Sequence, residues 1–459
     1  MFDVNVATLI VVCLLVLVGL GVHIAIALGM TSALGIYLVT NGNFVVVEKM
    51  LASTAYEALR AYEFAVIPLF MLMGELIGRS GAVTDVYKAI NHGLRRIPGR
   101  LAVATVLGNA IFSFVTGVSI ASAAAFSRIA YPEMKRFGYH KGFALGAVAG
   151  SSCLGMLIPP SVLMIVWGLL TEKSIGQIFL AGVLPGLLLV SLFLVYVVAA
   201  AVIRPDLVGE SGRGVSRTSA AGAQVTPERQ AVTEDGEDLD RFSTLTSAIG
   251  IILVVAAVLG GIWFGFFTPT EGAGAGAFIG LVLAVLKGVG LRGIYESILS
   301  VGRTSAPILI LLIAAALYSR TLAMTGVTSA IQDLFLGSGM SPWMILAIMV
   351  LVWFVLGMVI DSISIMLLTV AIFEPIAVSI GYDAIAFAII GIMAIEAGLL
   401  TPPFGLLVYT VKAAIPDDPD VSIIDIFKSS TPYWIIMLIG MTGIAAFPQI
   451  ATFLPDLVF

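Results

Sequence analysis

Apolar positions run in blocks long enough for membrane helices, at about 5–20, 23–39, 63–79, 143–168, 176–203, 247–265, 272–287, 305–323, 385–411 and 433–451. Two further apolar stretches, 101–131 and 342–373, are interrupted near their middles by "FSFVTGVSIASAAAF" and "VLGMVIDSISIMLL". Each flank of an interruption holds only about 12–15 residues, too few at about 1.5 Å per residue to cross about 30 Å of hydrocarbon. These stretches predict re-entrant helical hairpins with polar tips shielded by protein, since bare backbone is not tolerated in lipid. Residues 204–246 break the pattern: they are polar, Ser/Gly/Ala-rich and charged, and predict a flexible linker.

The pattern repeats. At a constant separation of 243 residues, Pro132, Gly138, Tyr139, Gly155, Leu157, Pro159 and Pro160 find Pro375, Gly381, Tyr382, Gly398, Leu400, Pro402 and Pro403. The same register pairs Ser119 with Ser362 and Ile120 with Ile363 at the two hairpin tips. Each Pro-Pro lies inside an apolar helix (143–168 and 385–411), where it removes backbone donors and breaks the ladder. A first repeat over 1–203 and a second over 247–459, joined by 204–246, follow from this register.

Composition and charge refine the picture. The 459 residues are 59% hydrophobic and 11% charged, against about 25% charged in a soluble domain. The chain is therefore an all-α polytopic membrane protein embedded in the lipid bilayer; the alternation of a β-barrel is absent. A net charge of −5 without a basic, aromatic-interleaved face gives no support for nucleic-acid binding. The first hairpin is flanked by Lys88, Arg95, Arg96, Arg100, Lys135, Arg136 and Lys141; the second has no Lys or Arg beside it. By the positive-inside rule the first opens from the cytoplasm and the second from the opposite face, with both termini outside and the linker inside. That is an inverted-topology repeat with two hairpins and two broken helices, the pattern of secondary transporters. Residues 5–20 read as a first membrane helix rather than a cleaved signal, because no basic segment precedes them. Cys13 and Cys153 read as small buried apolar residues, and the three His lack metal-ligand spacing. No phosphate-binding loop, zinc-protease motif or nucleophile elbow is present, so neither an ATP motor nor an enzyme is expected.

The residues with chemistry to offer sit at the interruptions. Thr116, Gly117 and Ser119 form the first tip, with Ser122 one turn on, and offer hydroxyls and carbonyls suited to Na+ or substrate; close helix packing is the alternative use of such small residues. Asp361, Ser362 and Ser364 form the second tip, where a carboxylate at membrane depth is either a cation ligand or a helix cap. Glu396 reads as a coupling group for a proton or Na+, or as a structural partner of a neighbouring helix. Glu75 and Arg79 read as a surface pair one turn apart, and Arg320 as interfacial or as a carboxylate receptor. Thr270 of "TPTE" is expected to cap a helix, "AINHGLRRIPGR" to lie on the cytoplasmic surface, and the five Trp to sit near span ends or within spans as belts require.

"LGMLIPPSVLMIVWGLLTEKSIGQIFLAGVLPG" (154–186), "FFTPTEGAGAGA" (266–277), "GMVIDSISIMLLTVAIFEPI" (357–376) and "IEAGLLTPPFGLLVYTVKA" (395–413) resemble, in order, the large membrane subunit of tripartite ATP-independent periplasmic (TRAP) transporters. The resemblance implies the ion-transporter superfamily fold and an elevator mechanism. It implies Na+-driven uptake of organic acids such as dicarboxylates or sialic acid, with a small four-helix membrane subunit and a periplasmic substrate-binding protein as partners on separate chains. It implies two or more Na+ sites: Thr116, Gly117 and Ser119 with the 155–161 break (Gly155, Pro159), and Asp361 and Ser362 with the 398–405 break (Gly398, Thr401, Pro402). The substrate would lie between them, against Ser119, Ser122, Ser161, Ser362, Ser364 and Thr401. The first tip reads T-G-V-S, so Val118 stands where a further hydroxyl is expected. A stand-alone ion-coupled symporter or antiporter of the same superfamily is the alternative reading.

Overall fold

The computed structural model describes residues 4–209, 241–415, 418 and 420–459. Residues 210–240 of the expected linker lie outside them, and the helix Arg241–Val255 begins before the linker's expected end at 246. Among the described residues all regular structure is helical. Seven helices among the described residues are long and apolar enough to cross a membrane. There are eight if the pair Phe44–Arg60 and Tyr62–Arg79, bent by 59°, forms one span.

The repeat order runs through the helices, at a separation of 243 residues from the hairpin tips to the breaks and of 248 beyond them, where Ser174 matches Ser422. Val4–Gly19 and Ile24–Val39 correspond to the span Phe242–Trp263 and to Pro269–Leu286. The bent pair Phe44–Arg60 and Val66–Arg79 corresponds to one unbroken helix, Leu291–Thr325, which replaces the shorter expected span 305–323. Ile175–Ile203 corresponds to Ile423–Ala446, and both begin on a serine, Ser174 and Ser422, whose hydroxyl caps the third residue of the helix. The expected last span 433–451 is corrected by this: its helix starts ten residues earlier, at Ile423, and ends before Phe447-Pro448, where proline cannot continue the ladder, and Gln449–Val458 is a separate helix.

Caps set the starts of several helices. His23 and His140 each accept a backbone N–H two residues on, opening Ile24–Val39 and Lys141–Ser152. The cap of Pro269–Leu286 is Thr268 and not Thr270: Thr268 and Glu271 form a reciprocal capping box, and Thr270 is buried in the first turn.

The hairpins are the pairs Arg100–Thr116 with Ser119–Arg136, and Pro342–Gly357 with Ser362–Ser379. Their second arms run past Pro132 and Pro375, so they are longer than 101–131 and 342–373 suggested. The broken helices are Lys141–Ser152 with Val162–Thr171, and Ala384–Gly398 with Leu406–Ala414. The hydropathic core of Lys141–Thr171 is 89% buried, against 33% for Ile175–Ile203, so the interrupted backbone is enclosed by protein.

Packing shows the inversion directly. Val162–Thr171, from the first break, packs along Ser362–Ser379 of the second hairpin, and Leu406–Ala414, from the second break, packs along Ser119–Arg136 of the first. At the base of the first hairpin Lys135 pairs with Asp418, just beyond Leu406–Ala414, at 2.6 Å. Near the base of the second, Glu374 lies within electrostatic reach of Lys173, just beyond Val162–Thr171. Because Lys141–Thr171 runs through from one pole to the other, the two hairpin bases lie at opposite poles.

The core between the halves is aromatic. Trp167, Trp353 and Phe387 stack edge-on or tilted, with centroids 5.3–6.0 Å apart, and Trp353 donates to Thr369 at 2.7 Å. Trp167 and Trp353 are therefore core residues rather than members of a belt, because a facing Gly391 leaves room for both rings. A second group of helices, Ile24–Val39, Phe44–Arg60, Val66–Arg79, Pro269–Leu286 and Leu291–Thr325, packs mainly among itself. Helix Ala82–Gly93, at the start of the expected surface segment, is tied to that side through Asp85. Burial would raise the Asp85 carboxyl, but Lys287, Ser247 and Ser243 together hold it below the usual range.

Candidate functional site

The site is built where tips meet breaks. The first arm ends at Thr116, and Gly117 (φ 60°) turns the chain through a left-handed conformation before Ser119 starts the second arm. A Cβ on Gly117 would sit 2.4 Å from the carbonyl oxygen of Pro160. The Gly117 carbonyl accepts the Val162 N–H across the break at 3.1 Å. Gly155, on the other side of that break, packs its Cα against the backbone of Ser119.

The second tip repeats this with different residues. Gly357 and Gly398 press backbone to backbone, each leaving under 3 Å for a Cβ. The Met358 carbonyl accepts the Phe404 N–H at 3.1 Å. Both Pro159-Pro160 and Pro402-Pro403 are cis.

Four helices therefore begin at the centre, Ser119–Arg136, Val162–Thr171, Ser362–Ser379 and Leu406–Ala414, and their positive ends converge there. Ser161 and Asp361 cap two of them with side chains, while the helices beginning at Ser119 and Leu406 carry no side-chain cap. The helices ending at Thr116, Leu157, Gly357 and Gly398 bring carbonyls to the same region. Convergent N–H groups suit a carboxylate, and convergent carbonyls suit a monovalent cation.

Each candidate side chain has a defined place. Thr116 bonds back to the Phe112 carbonyl at 3.1 Å. Ser161 bridges its break by donating to the Met156 carbonyl. Thr401 donates to Gly398 at 2.6 Å, and Ser364 donates to Asp361, whose carboxylate also accepts the Ser364 N–H at 3.0 Å. Pro159 and Pro402 sit at the two breaks beside the tips. The Ser122 hydroxyl is buried with no hydrogen-bond partner. A cavity of about 320 Å³ opens beside the second tip, lined by Gly357, Met358, Ile360, Asp361, Leu406 and Tyr409. That is the scale of a small organic ligand.

Ser119 and Ser362, one from each half, come together on a single group. Ser119 donates to Oε2 of Glu396 at 2.5 Å and Ser362 donates to Oε1 at 2.8 Å. Glu396 is fully buried, two residues before Gly398. Sequence reasoning left Glu396 between a coupling and a structural use and did not connect it to both tips. Tyr409, on the cavity wall, was missed because an aromatic residue in an apolar helix carries no signal of its own.

The remaining candidates lie elsewhere. Arg320 pairs with Glu57 and donates to Thr54 at 3.1 Å, on the outer helix group, which leaves it no part in the central site. Arg79 pairs with Glu75 at 2.7 Å and Glu296 at 3.1 Å, a partly exposed cluster, as a surface pair requires. Among the described residues no cluster of His, Cys, Asp and Glu could hold a metal by side chains of those types.

The chain matches the family described as "Tripartite ATP-independent periplasmic transporter, DctM component" over residues 11–450. It is 30% identical to the C4-dicarboxylate TRAP transporter large permease protein DctM of Pseudomonas aeruginosa, covering 94% of each chain. It is 30% identical to the ectoine/5-hydroxyectoine TRAP transporter large permease protein UehC of Ruegeria pomeroyi, over 90% of this chain and 89% of that one. To the sialic acid TRAP transporter large permease protein SiaM of Vibrio cholerae it is 27% identical, over 85% and 86%. In fold it is similar to the YdaH transporter of Alcanivorax borkumensis, with a TM-score of 0.62 at 14% identity and 88% of each chain covered.

Proposed function

This chain belongs to the DctM component family of tripartite ATP-independent periplasmic transporters, and from that premise we propose that it imports an organic anion by Na+-coupled elevator movement. As a multi-span member of that family it sits in the bacterial inner membrane. The observation that carries the reading is the central meeting of two mirrored tips with two breaks, where helix N-termini and carbonyl ends converge beside a chamber of about 320 Å³. Cations at Thr116, Gly117, Ser119 and Gly155, and at Asp361, Ser362, Gly398 and Thr401, would order the tips. The ordered tips would then hold a carboxylate, linking the two affinities. The cargos named for the relatives, C4-dicarboxylates, ectoines and sialic acid, all carry a carboxylate, which fits the same centre.

Movement would carry the hairpins and broken helices, packed as one crosswise unit, against the outer helix group. A periplasmic binding protein would deliver the anion and a small four-helix membrane subunit would complete the complex. The test is uptake by the three-component complex in proteoliposomes, against candidate carboxylates, with an imposed Na+ gradient. Uptake that stops when the Na+ gradient collapses is expected, and Asp361→Ala and Ser119→Ala should lower it and raise the Na+ requirement. Uptake indifferent to Na+, or both variants transporting normally, overturns the ion-site assignment. Uptake without any binding protein would favour a stand-alone symporter.

A further inference from the structure

The repeat register places Cys153 opposite Glu396, so two equivalent tips share one carboxylate instead of having one each. Cys153 lies within electrostatic reach of Glu396, and its thiol is occupied with the Gly150 carbonyl. Ser119 and Ser362 are themselves repeat mates, and each is the first residue of its hairpin's second arm. The carboxylate oxygens are divided between them, one to each. Among the described residues no lysine, arginine or histidine pairs with Glu396; the two serines are its partners. Bonds from hydroxyls to a carboxylate are stronger than neutral ones, and a fully enclosed carboxylate cannot exchange them for water.

We propose that Glu396 is a positioning residue that yokes the two hairpin tips. Each tip closes on the same carboxylate, so displacing one changes the hold on the other, and cations bound at the two tips sense one another through it. The cooperative part of this rests on the reading of the tips as ion sites. The yoke itself rests on the geometry of three side chains. It gives a physical reason for two ion sites to act in one step: a half-loaded centre leaves Glu396 with one closed tip and one strained or open tip, so intermediate states are disfavoured.

The experiment is a mutant cycle on the assembled complex in proteoliposomes, reading uptake against Na+ concentration. In the native chain the response should be steeper than a single-site curve. Ser119→Ala and Ser362→Ala should each raise the Na+ needed for half-maximal uptake by about tenfold, the scale of one hydrogen bond to a charged group. In the Glu396→Ala background each serine substitution should cost several-fold less than in the native chain, the remainder being its own contact with the cation, since non-additivity marks a shared partner, and the curve should fall to single-site steepness. Serine substitutions that still cost about tenfold without Glu396, or a curve that stays steep, overturn the yoke. If Glu396→Ala does not assemble, Glu396→Gln replaces it. The amide accepts from one serine and donates to the other, so neutral hydrogen bonds replace charged ones and each serine substitution should cost less than it does beside the carboxylate; undiminished costs overturn the proposal. A native complex without Na+ dependence would sink the sodium reading alone. The same cycle is then read in the heat-unfolding midpoint, where serine costs that vanish without Glu396 support the yoke and costs that persist overturn it.

Discussion

At Gly117 the backbone does what a side chain cannot. Its positive φ and its 2.4 Å approach to the Pro160 carbonyl leave no place for a Cβ. Gly117→Ala is expected to cost about 1–2 kcal/mol from the left-handed conformation alone, with the steric overlap added. The first tip must then withdraw from its break. Na+ affinity should fall more than protein yield, measured by Na+-dependent uptake beside a thermal unfolding curve. A variant with native Na+ dependence would mean that the close contact is not needed. Gly138, also at positive φ but with nothing nearer than 3.9 Å, serves as the control: Ala there should pay the conformational cost without the functional one.

Among the helices, starts are chosen by short polar side chains against an apolar background, so a single hydroxyl decides where a span begins. Thr268→Ala removes the side-chain half of the capping box on Pro269–Leu286, where the Thr268 hydroxyl accepts the Glu271 N–H, and should destabilise the protein by about 1 kcal/mol. Thr270→Ala should cost less at the same helix end, because Thr270 does not cap it. Equal midpoints for the two variants in thermal unfolding would contradict the assignment. The same comparison explains why one repeat bends and the other does not. The first half interrupts Phe44–Arg60 and Val66–Arg79 with a short turn at Ala61–Ala65, while its counterpart runs straight through Leu291–Thr325. The outer helices have thus diverged while the central hairpins and breaks kept their register.

Across the whole molecule, the halves are joined at the centre by Glu396 and at one pole by Lys135 and Asp418. Lys135, foremost, and the Tyr131 hydroxyl at 3.0 Å hold the Asp418 carboxyl below the usual carboxylate range. A carboxyl lowered in the folded protein contributes stability that is complete above its unfolded value and is lost as pH falls through the folded value. Asp418→Asn should therefore lower the unfolding temperature at neutral pH, and its difference from the native chain should shrink as the medium is acidified below the ordinary Asp range. A difference independent of pH would assign the loss to packing. The approximate twofold relation makes a second prediction at this scale. Cys153→Glu combined with Glu396→Cys moves the carboxylate to the mirrored position, from which the twofold relation predicts that it can reach both serines. That pair should recover a large part of the uptake that Glu396→Cys alone loses, and no recovery would show that the two positions are not equivalent.

The chain's order of blocks, its duplication and its class were legible without coordinates, because lipid demands long apolar helices and a doubled proline leaves a mark that survives divergence. The constant separation from Pro159 to Pro402 and the basic flank on one hairpin alone were enough to infer opposed insertion. What the tertiary structure alone decided was which polar groups meet. Arg320 went to Glu57 on a neighbouring helix, Trp167 and Trp353 went to the core, and Ser119 and Ser362 came to the two oxygens of Glu396. A one-dimensional pattern states how apolar a position is and on which element it lies. Whether two hydroxyls 243 residues apart can share a carboxylate depends on crosswise packing of half-helices, a property of distance and direction that no local spacing contains.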